Sequence, residues 1–183
     1  MIVAAFLRGM NLGNRRITNA DLRAQFERLG YASVATFQAA GNVVFEAGEA
    51  SEGELVATIE QGLEEGLGYA VPTLLRSEEE LRAIAAAEPF PAADLAAAGK
   101  LQVLLLAEAP KAAARKAVLA QASPEDRLAF GPRELFWLPR GRITDSDLDL
   151  RAIEKQLPPR TMRTHGTIER LVAKHLAGNE ASG

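Results

Sequence analysis

Short apolar runs alternate with amphipathic stretches along the whole chain. The run Ile2–Leu7 is almost uninterrupted apolar sequence, which is typical of a central strand covered on at least one face. Within 52–67, apolar residues recur every four positions, as they do on one face of a helix. Between these two segments, the strand patterns at 33–38 and 42–46 are separated by three small residues, which predicts a hairpin.

The first 76 residues therefore predict the order β-α-β-β-α-β. The strands are expected at 2–7, 33–38, 42–46 and 70–76, and the helices at 18–30 and 52–67. This is the split arrangement of ferredoxin-like folds, in which the last strand lies at a sheet edge. Pro72 falls within that last strand, and proline is tolerated on edge strands, so it agrees with this placement.

The same succession of patterns returns in the second half of the chain. Strands are expected at 101–107, 127–130, 134–138 and 160–163, and helices at 110–122, 147–157 and 167–177. We therefore predict an α+β protein with two ferredoxin-like (βαββαβ) units, a duplication, and a C-terminal helix. The first unit is expected at 1–76, a linking helix and connection at 77–100, and the second unit with the terminal helix at 101–183.

Composition narrows the class of protein. With 24 acidic and 21 basic side chains and 48% hydrophobic residues, the 183-residue chain is typical of globular proteins. The absence of cysteine excludes disulfides and thiolate metal sites, and two histidines disfavour a His-rich metal site. No run approaches the roughly 20 apolar residues that span a bilayer, and the first run has no basic segment before it, so no signal peptide is expected. We expect a cytoplasmic protein without membrane, metal or cofactor; its oligomeric state stays open.

The segment from Arg8 to Arg16 is the most informative one for function. It leaves the first strand, contains Gly9 and Gly13, and carries three arginines. A glycine-rich loop before a helix presents backbone N–H groups and the positive end of the helix dipole, which favours an anion. It lacks the Gly-Lys-Ser/Thr sequence that ends a P-loop, and its glycines do not have the spacing of the dinucleotide-binding fingerprint. The alternative is a turn that needs its glycines for positive φ, with the arginines in solvent.

Topology strengthens the prediction of a site. The first two strands of a split unit run parallel, so the loop after the first strand and the turn of the hairpin lie at the same sheet end. Since the third strand pairs with the first, Asn42 is expected beside Arg8, with Gln38, Gly41 and Asn11 close by. Several fixed polar groups around one pocket are what a small-molecule site requires.

Three strings extend the picture to the whole chain: Leu-Arg-Gly-Met-Asn-Leu-Gly at 7–13, Ala-Gly-Asn-Val-Val-Phe at 40–45 and Thr-Met-Arg-Thr-His-Gly-Thr at 161–167. Together they resemble the bacterial family known as domain of unknown function 1697. The resemblance implies a cytoplasmic bacterial protein with duplicated ferredoxin-like units, and it supplies no established activity. The chain departs from the usual pattern at Asn14 and Arg15, where the family tends to have Gly and Lys, and at 163–167, where it tends to have Arg-Asn-Trp-Asn-Thr.

The third string offers a second candidate site with a simpler alternative. Arg163 and the start of the last helix are chemistry for an anion, whereas Thr164 or Thr167 can instead cap that helix. His165 is a better catalytic candidate than His175, which lies in line with apolar helix residues. The full set of predicted ligand-binding residues is Arg8, Gly9, Asn11, Gly13, Arg15, Gln38, Gly41, Asn42, Arg163, Thr164 and His165.

Asp145, Asp147 and Asp149 have the alternate spacing of a calcium loop. Leu150 stands where that loop needs glycine, and Gln156 where it needs glutamate. We therefore interpret the aspartates as helix-capping and dipole-complementing residues.

Three classes of function remain. The first is a binding protein whose partner is a small anionic or phosphorylated ligand at the loop after the first strand. The second is an enzyme that uses the same pocket for phosphoryl or nucleotide-related chemistry; because no nucleophile, carboxylate pair or metal motif is evident, whether the protein is an enzyme stays open. The third is RNA binding on the sheet face, which the acidic balance and the missing aromatic signature of the third strand disfavour.

Overall fold

The computed structural model describes residues 1–10, 13, 15–38 and 41–176. The chain divides into two compact units, Met1–Leu81 together with the end of the last helix from Lys174, and Arg82–Ala173. Within the described residues, every helix is too short or too polar to cross a membrane.

The first unit contains one four-stranded sheet and two helices. Its elements are β1 (Ile2–Leu7), α1 (Asn19–Arg28), β2 (Ala32–Thr36), β3 (Asn42–Glu46), α2 (Glu52–Leu67) and β4 (Thr73–Ser77). The strand order is β2-β3-β1-β4, and all neighbouring strands are antiparallel. This is the predicted ferredoxin-like topology, with β1 central and β4 at the edge. The prediction that Pro72 lies within the last strand is wrong, because β4 begins at Thr73 and Pro72 immediately precedes it.

The helices of this unit begin and end at residues suited to those positions. The Thr18 side chain accepts the Asp21 N–H at 3.0 Å and so caps α1. Ser51 and Glu54 form a reciprocal capping box at the start of α2. That helix ends at Gly68 with φ +79°, a left-handed conformation that glycine adopts without steric cost.

The core of the first unit lies between the sheet and its helices. Alternate residues of β1, Val3, Ala5 and Leu7, face this core. They pack with the apolar faces of α1 and α2, which contribute Leu22, Phe26, Leu55, Ile59 and Leu63. The other face of the sheet is also buried, through residues such as Ala4, Phe6, Val44, Leu74 and Arg76.

The second unit repeats the arrangement. After α3 (Glu78–Ala85), its elements are α4 (Ala92–Ala97), β5 (Gln102–Leu106), α5 (Ala112–Leu119), β6 (Asp126–Phe130), β7 (Glu134–Pro139), a 3₁₀ turn (Ile143–Asp145), α6 (Leu150–Gln156), β8 (Arg160–Thr164) and α7 (His165–His175). The strand order β6-β7-β5-β8 corresponds to that of the first sheet. Its core joins Leu104, Leu106 and Trp137 to residues of α5 and α6.

The α+β duplication predicted from the sequence is thus confirmed, with local differences. The segment 92–97, expected to be part of a connection, forms the short helix α4 after Pro91. The last helix begins at His165 rather than Thr167, directly after β8. β8 forms in spite of Pro158 and Pro159 because both prolines precede it and it lies at the sheet edge. The domain limits at 76 and 100 stay a prediction.

Candidate functional site

Two connections meet at the carboxyl end of β1. The Leu7 N–H donates to the Gly41 carbonyl at 2.8 Å, and the Arg8 N–H donates to the Pro72 carbonyl at 2.9 Å. The hairpin turn therefore lies on one side of the first loop, and the α2–β4 connection lies on the other. Gly9 and Gly41, with φ of +73° and +68°, allow the chain to turn sharply here.

Arg8 and Arg15 both adjoin the segment 69–72. Arg8 is joined to Pro72 through its backbone, and the guanidinium carbon of Arg15 lies 4.3 Å from the centre of the Tyr69 ring. This cation–π contact holds the Arg15 side chain without neutralising its charge. Tyr69 was not predicted from the sequence. It could have been, because β4 is antiparallel to β1, so the residues just before β4 lie near the end of β1.

The end of β1 is rich in positive charge. Residues 1–20 contain Arg8, Arg15 and Arg16 but neither Asp nor Glu. All three arginines are exposed, and no carboxylate of the described residues pairs with them, whereas Arg23 on α1 pairs with Glu27 at 2.7 Å.

A carboxylate is also anchored at this end of the sheet. The Glu60 side chain, on α2, accepts the Thr73 N–H at 2.7 Å. This hydrogen bond holds Glu60 against the backbone at the start of β4, and Thr73 pairs with Leu7.

Asn42 has a role within the hairpin. It pairs with Phe6, two residues before Arg8, and its side chain is only 1% exposed. Its Nδ2 donates to the Phe37 carbonyl at 3.0 Å, while the Phe37 N–H donates to the Asn42 carbonyl at 2.9 Å. Since the amide is used to hold the turn, Asn42 positions the end of the sheet rather than facing solvent.

The remaining predicted residues of this end differ in position. Gln38 is exposed in the hairpin turn with φ +56°, and Gly13 is exposed with φ +61°. Asn11 lies outside the described residues. The structure thus brings Arg8, Gly9, Arg15 and Gly41 to the same end of the sheet.

The second motif lies in the other unit, where Arg163 is tied to its own strand. Its Nη1 donates to Thr161 Oγ1 at 2.8 Å and to the Met162 carbonyl at 2.9 Å. Burial lowers the pKa of Arg163 to about 10, so the guanidinium stays charged at neutral pH. Thr164 Oγ1 accepts the Thr167 N–H at 3.2 Å, which agrees with the interpretation of Thr164 as a helix cap.

His165 is held by contacts on both ring nitrogens. Its Nε2 lies 2.8 Å from the Ile84 carbonyl and must donate to it, and Nδ1 lies 3.5 Å from Glu169 Oε2. Nε2 is therefore used by a backbone carbonyl.

Thr164 and His165 line a cavity of about 560 Å³ in the second unit. Lys100 and Arg170 supply its positive charges, and Glu88 and Glu169 its negative ones. These four charges balance, so the cavity has no evident preference for an anion.

Together these observations define a duplicated ferredoxin-like α+β protein whose first unit carries several exposed arginines around the end of its central strand. The family described as "Protein of unknown function (DUF1697)" matches residues 1–136. The chain belongs to this family, as predicted, and the strings at 7–13 and 40–45 lie within the matched residues.

The comparisons with other proteins add support for the fold. A conserved bacterial protein, SP0830 from Streptococcus pneumoniae, has a similar solved structure, with a TM-score of 0.74 and 21% sequence identity. The similarity covers 94% of this chain and 98% of that one. At 21% sequence identity, it supports the fold and carries no conclusion about function. No curated protein sequence matches the chain.

Proposed function

We propose that this protein binds a small anionic or phosphorylated ligand at the carboxyl end of β1, in the cytoplasm of a bacterium. The observation that carries the proposal is the placement of Arg8 and Arg15 against the one segment 69–72, with no carboxylate partner among the described residues. The absence of cysteine agrees with a reducing compartment.

The geometry explains why an anion would be held here. The backbone from which Arg8 emerges is fixed by two hydrogen bonds. The Arg15 side chain is held over Tyr69, so this side chain loses less entropy on binding. Arginine donates in a fork that matches phosphate or carboxylate oxygens. A charge-assisted hydrogen bond contributes roughly 1.5 to 3 kcal/mol, enough for about tenfold to a hundredfold in affinity.

The test is calorimetric titration with inorganic phosphate, pyrophosphate and acetate, at low and moderate ionic strength. We expect phosphate or pyrophosphate to bind the parent protein, and Arg8→Ala and Arg15→Ala each to weaken it about tenfold or more. Arg28→Gln is the matched control, because it removes one exposed charge of the same unit at the last residue of α1, the end of that helix away from the loop that follows β1. Parental affinity in both the Arg8 and Arg15 variants, or equal losses in all three, would overturn the proposal.

The two alternatives receive less support. For the enzyme, the Nε2 atom of His165 is used by the Ile84 carbonyl, and within residues 1–10, 13, 15–38 and 41–176 no group of three or more acidic or histidine side chains is arranged to hold a metal. For RNA, the sheet face that recognition domains use for stacking is buried here, with Phe6 at 0% and Val44 at 5% exposure.

A further inference from the structure

A second cavity, of about 530 Å³, lies within the second unit and is independent of the anion site. It is lined by the segment before β6, the end of β7 and the loop that leads into α6. Its volume is in the range that takes a small organic ligand. The three aspartates interpreted from the sequence as capping residues, Asp145, Asp147 and Asp149, all line it.

Asp126 is the buried polar residue of this cavity, with only 4% of its surface exposed. Its Oδ1 accepts the Trp137 indole N–H at 2.7 Å and the Ser146 hydroxyl at 2.7 Å. Two donors to one oxygen fix the orientation of the carboxylate. A buried carboxylate costs free energy unless all of its acceptor sites are used.

The second oxygen of Asp126, Oδ2, has no hydrogen-bond partner among the described residues. It is not sealed inside the protein either, since the fully buried polar atoms without a partner in the described chain are Arg160 Nε and His175 Nε2. Oδ2 therefore reaches the opening that Asp126 lines, which is this cavity.

The charge of the cavity is negative. Five carboxylates and two arginines line it, and each arginine is already paired. Arg140 contacts Glu125 at 2.6 Å, and Arg142 contacts Asp145 at 2.9 Å. Within the described part of the chain, Asp126, Asp147 and Asp149 are left without a cation, and of these Asp149 also caps α6.

We infer that this cavity binds a small organic cation whose primary ammonium group donates to Asp126 Oδ2. A fixed, partly desolvated carboxylate oxygen is a strong acceptor for an ammonium N–H. A chelated metal ion would need several oxygens converging on one point, and the described residues contain no such group of three. The wide cavity leaves room for the organic part of the ligand.

Trp137 supplies a local reporter for the test. It is the single tryptophan of the chain, and its indole N–H bonds the same carboxylate. In ¹H–¹⁵N spectra of the full chain, 1,4-diaminobutane should shift the indole resonance in a saturable way. The neutral 1,4-butanediol has the same chain length and should leave it in place.

Three variants then locate the charge, each titrated by calorimetry. Asp126→Asn keeps the Oδ1 acceptor and the side-chain shape, and we expect it to weaken diamine binding about tenfold or more. Asp147→Asn changes an exposed residue that has no hydrogen bond or ion pair in the described chain, and it should weaken binding by about two- to fivefold, an effect that salt removes. Glu108→Gln removes a charge of the same unit outside the cavity and should keep parental affinity.

Three results would each overturn this inference: equal shifts with the diamine and the diol, a saturable response to Mg²⁺ or Ca²⁺ but not to the diamine, or parental affinity in Asp126→Asn. If Asp126→Asn fails to fold, Asp147→Asn provides the test instead. The inference would then be overturned if Asp147→Asn and Glu108→Gln bind the diamine with equal affinity at low salt.

Discussion

Arg76 and Arg163 hold the same place in the two sheets of this protein. Each is the next-to-last residue of the fourth strand of its sheet, β4 or β8. Each uses Nη1 to donate to the carbonyl of the residue before it, Leu75 at 2.8 Å and Met162 at 2.9 Å. The duplication thus extends from the strand order to individual side-chain hydrogen bonds.

The residue after each arginine caps the helix that follows, which gives the first prediction. Ser77 and Thr164 accept the N–H three residues further on, both at 3.2 Å. Thr164→Ala should lower the free energy of unfolding by about 0.5 to 2 kcal/mol, and Thr164→Ser should restore most of it. Urea unfolding measures both. Equal midpoints for the parent and the Ala variant would show that the hydroxyl does not act as a cap.

The second prediction concerns Gly41, whose φ of +68° fits its place in the hairpin turn. A Cβ there would lie 3.1 Å from Leu7 Cβ and 3.2 Å from the Leu7 carbonyl oxygen. Gly41→Ala should therefore lower the free energy of unfolding by about 1 kcal/mol or more. A thermal melt or urea titration measures the change.

Gly48→Ala is the control for this prediction. A Cβ added at Gly48 would meet no heavy atom of the described residues within 4 Å, and Gly48 does not have a positive φ. Its substitution should change stability by no more than about 0.5 kcal/mol. Similar effects of the two substitutions would contradict the steric account of Gly41.

The third prediction separates a structural role of Asn42 from a role in binding. Asn42→Ala removes a buried donor and leaves the Phe37 carbonyl without it, so the free energy of unfolding should fall by about 1 to 3 kcal/mol. The folded variant should bind phosphate nearly as well as the parent, because the amide faces the hairpin. A large loss of affinity with unchanged stability would place Asn42 in the ligand site instead.

Much of the fold follows from periodicity in the sequence. The uninterrupted apolar run of β1 indicates a strand buried on both faces, and the four-residue spacing in α2 indicates a helix buried on one face, so both elements have the predicted bounds. The short helix α4 could not be predicted, because its six residues have no apolar period and stand beside Pro91. The start of α7 differs by two residues because it continues from β8 without a loop.

For the site, the sequence predicts only which loops lie at the same end of the sheet. Strand order places the loop of Arg8 and the turn of Gly41 at one end of the sheet. The contact of Arg15 with Tyr69 joins residues remote in sequence, and no local pattern reports it. Likewise, the hydrogen bond from Asn42 to the Phe37 carbonyl cannot be predicted from the sequence, because every residue has a backbone carbonyl. The bond between Asp126 and Trp137 joins two side chains on neighbouring strands, and the pattern of each strand reports only burial.

The last prediction concerns acid stability and rests on His175. Burial lowers the pKa of this imidazole below its ordinary value, and the positive charge of Lys174 lowers it further. The ring packs edge-on against Phe37 at 5.9 Å, and its Nε2 is buried without a partner among the described residues. These surroundings favour the neutral ring over the protonated one.

The sign of the effect follows from linkage. Between the lowered pKa of the folded state and the ordinary value near 6.5, the unfolded chain binds more protons at His175 than the folded one. The contribution of His175 to stability is therefore complete above pH 6.5 and is lost as the pH falls through the lowered pKa.

His175→Gln removes this titration, so its free energy of unfolding should fall less than that of the parent between pH 7.5 and pH 5. Lys174→Gln keeps the histidine but removes one cause of the shift, and its pH dependence should lie between the two. Chemical denaturation at several pH values provides the measurement, and identical pH slopes for the parent and His175→Gln would contradict the assignment.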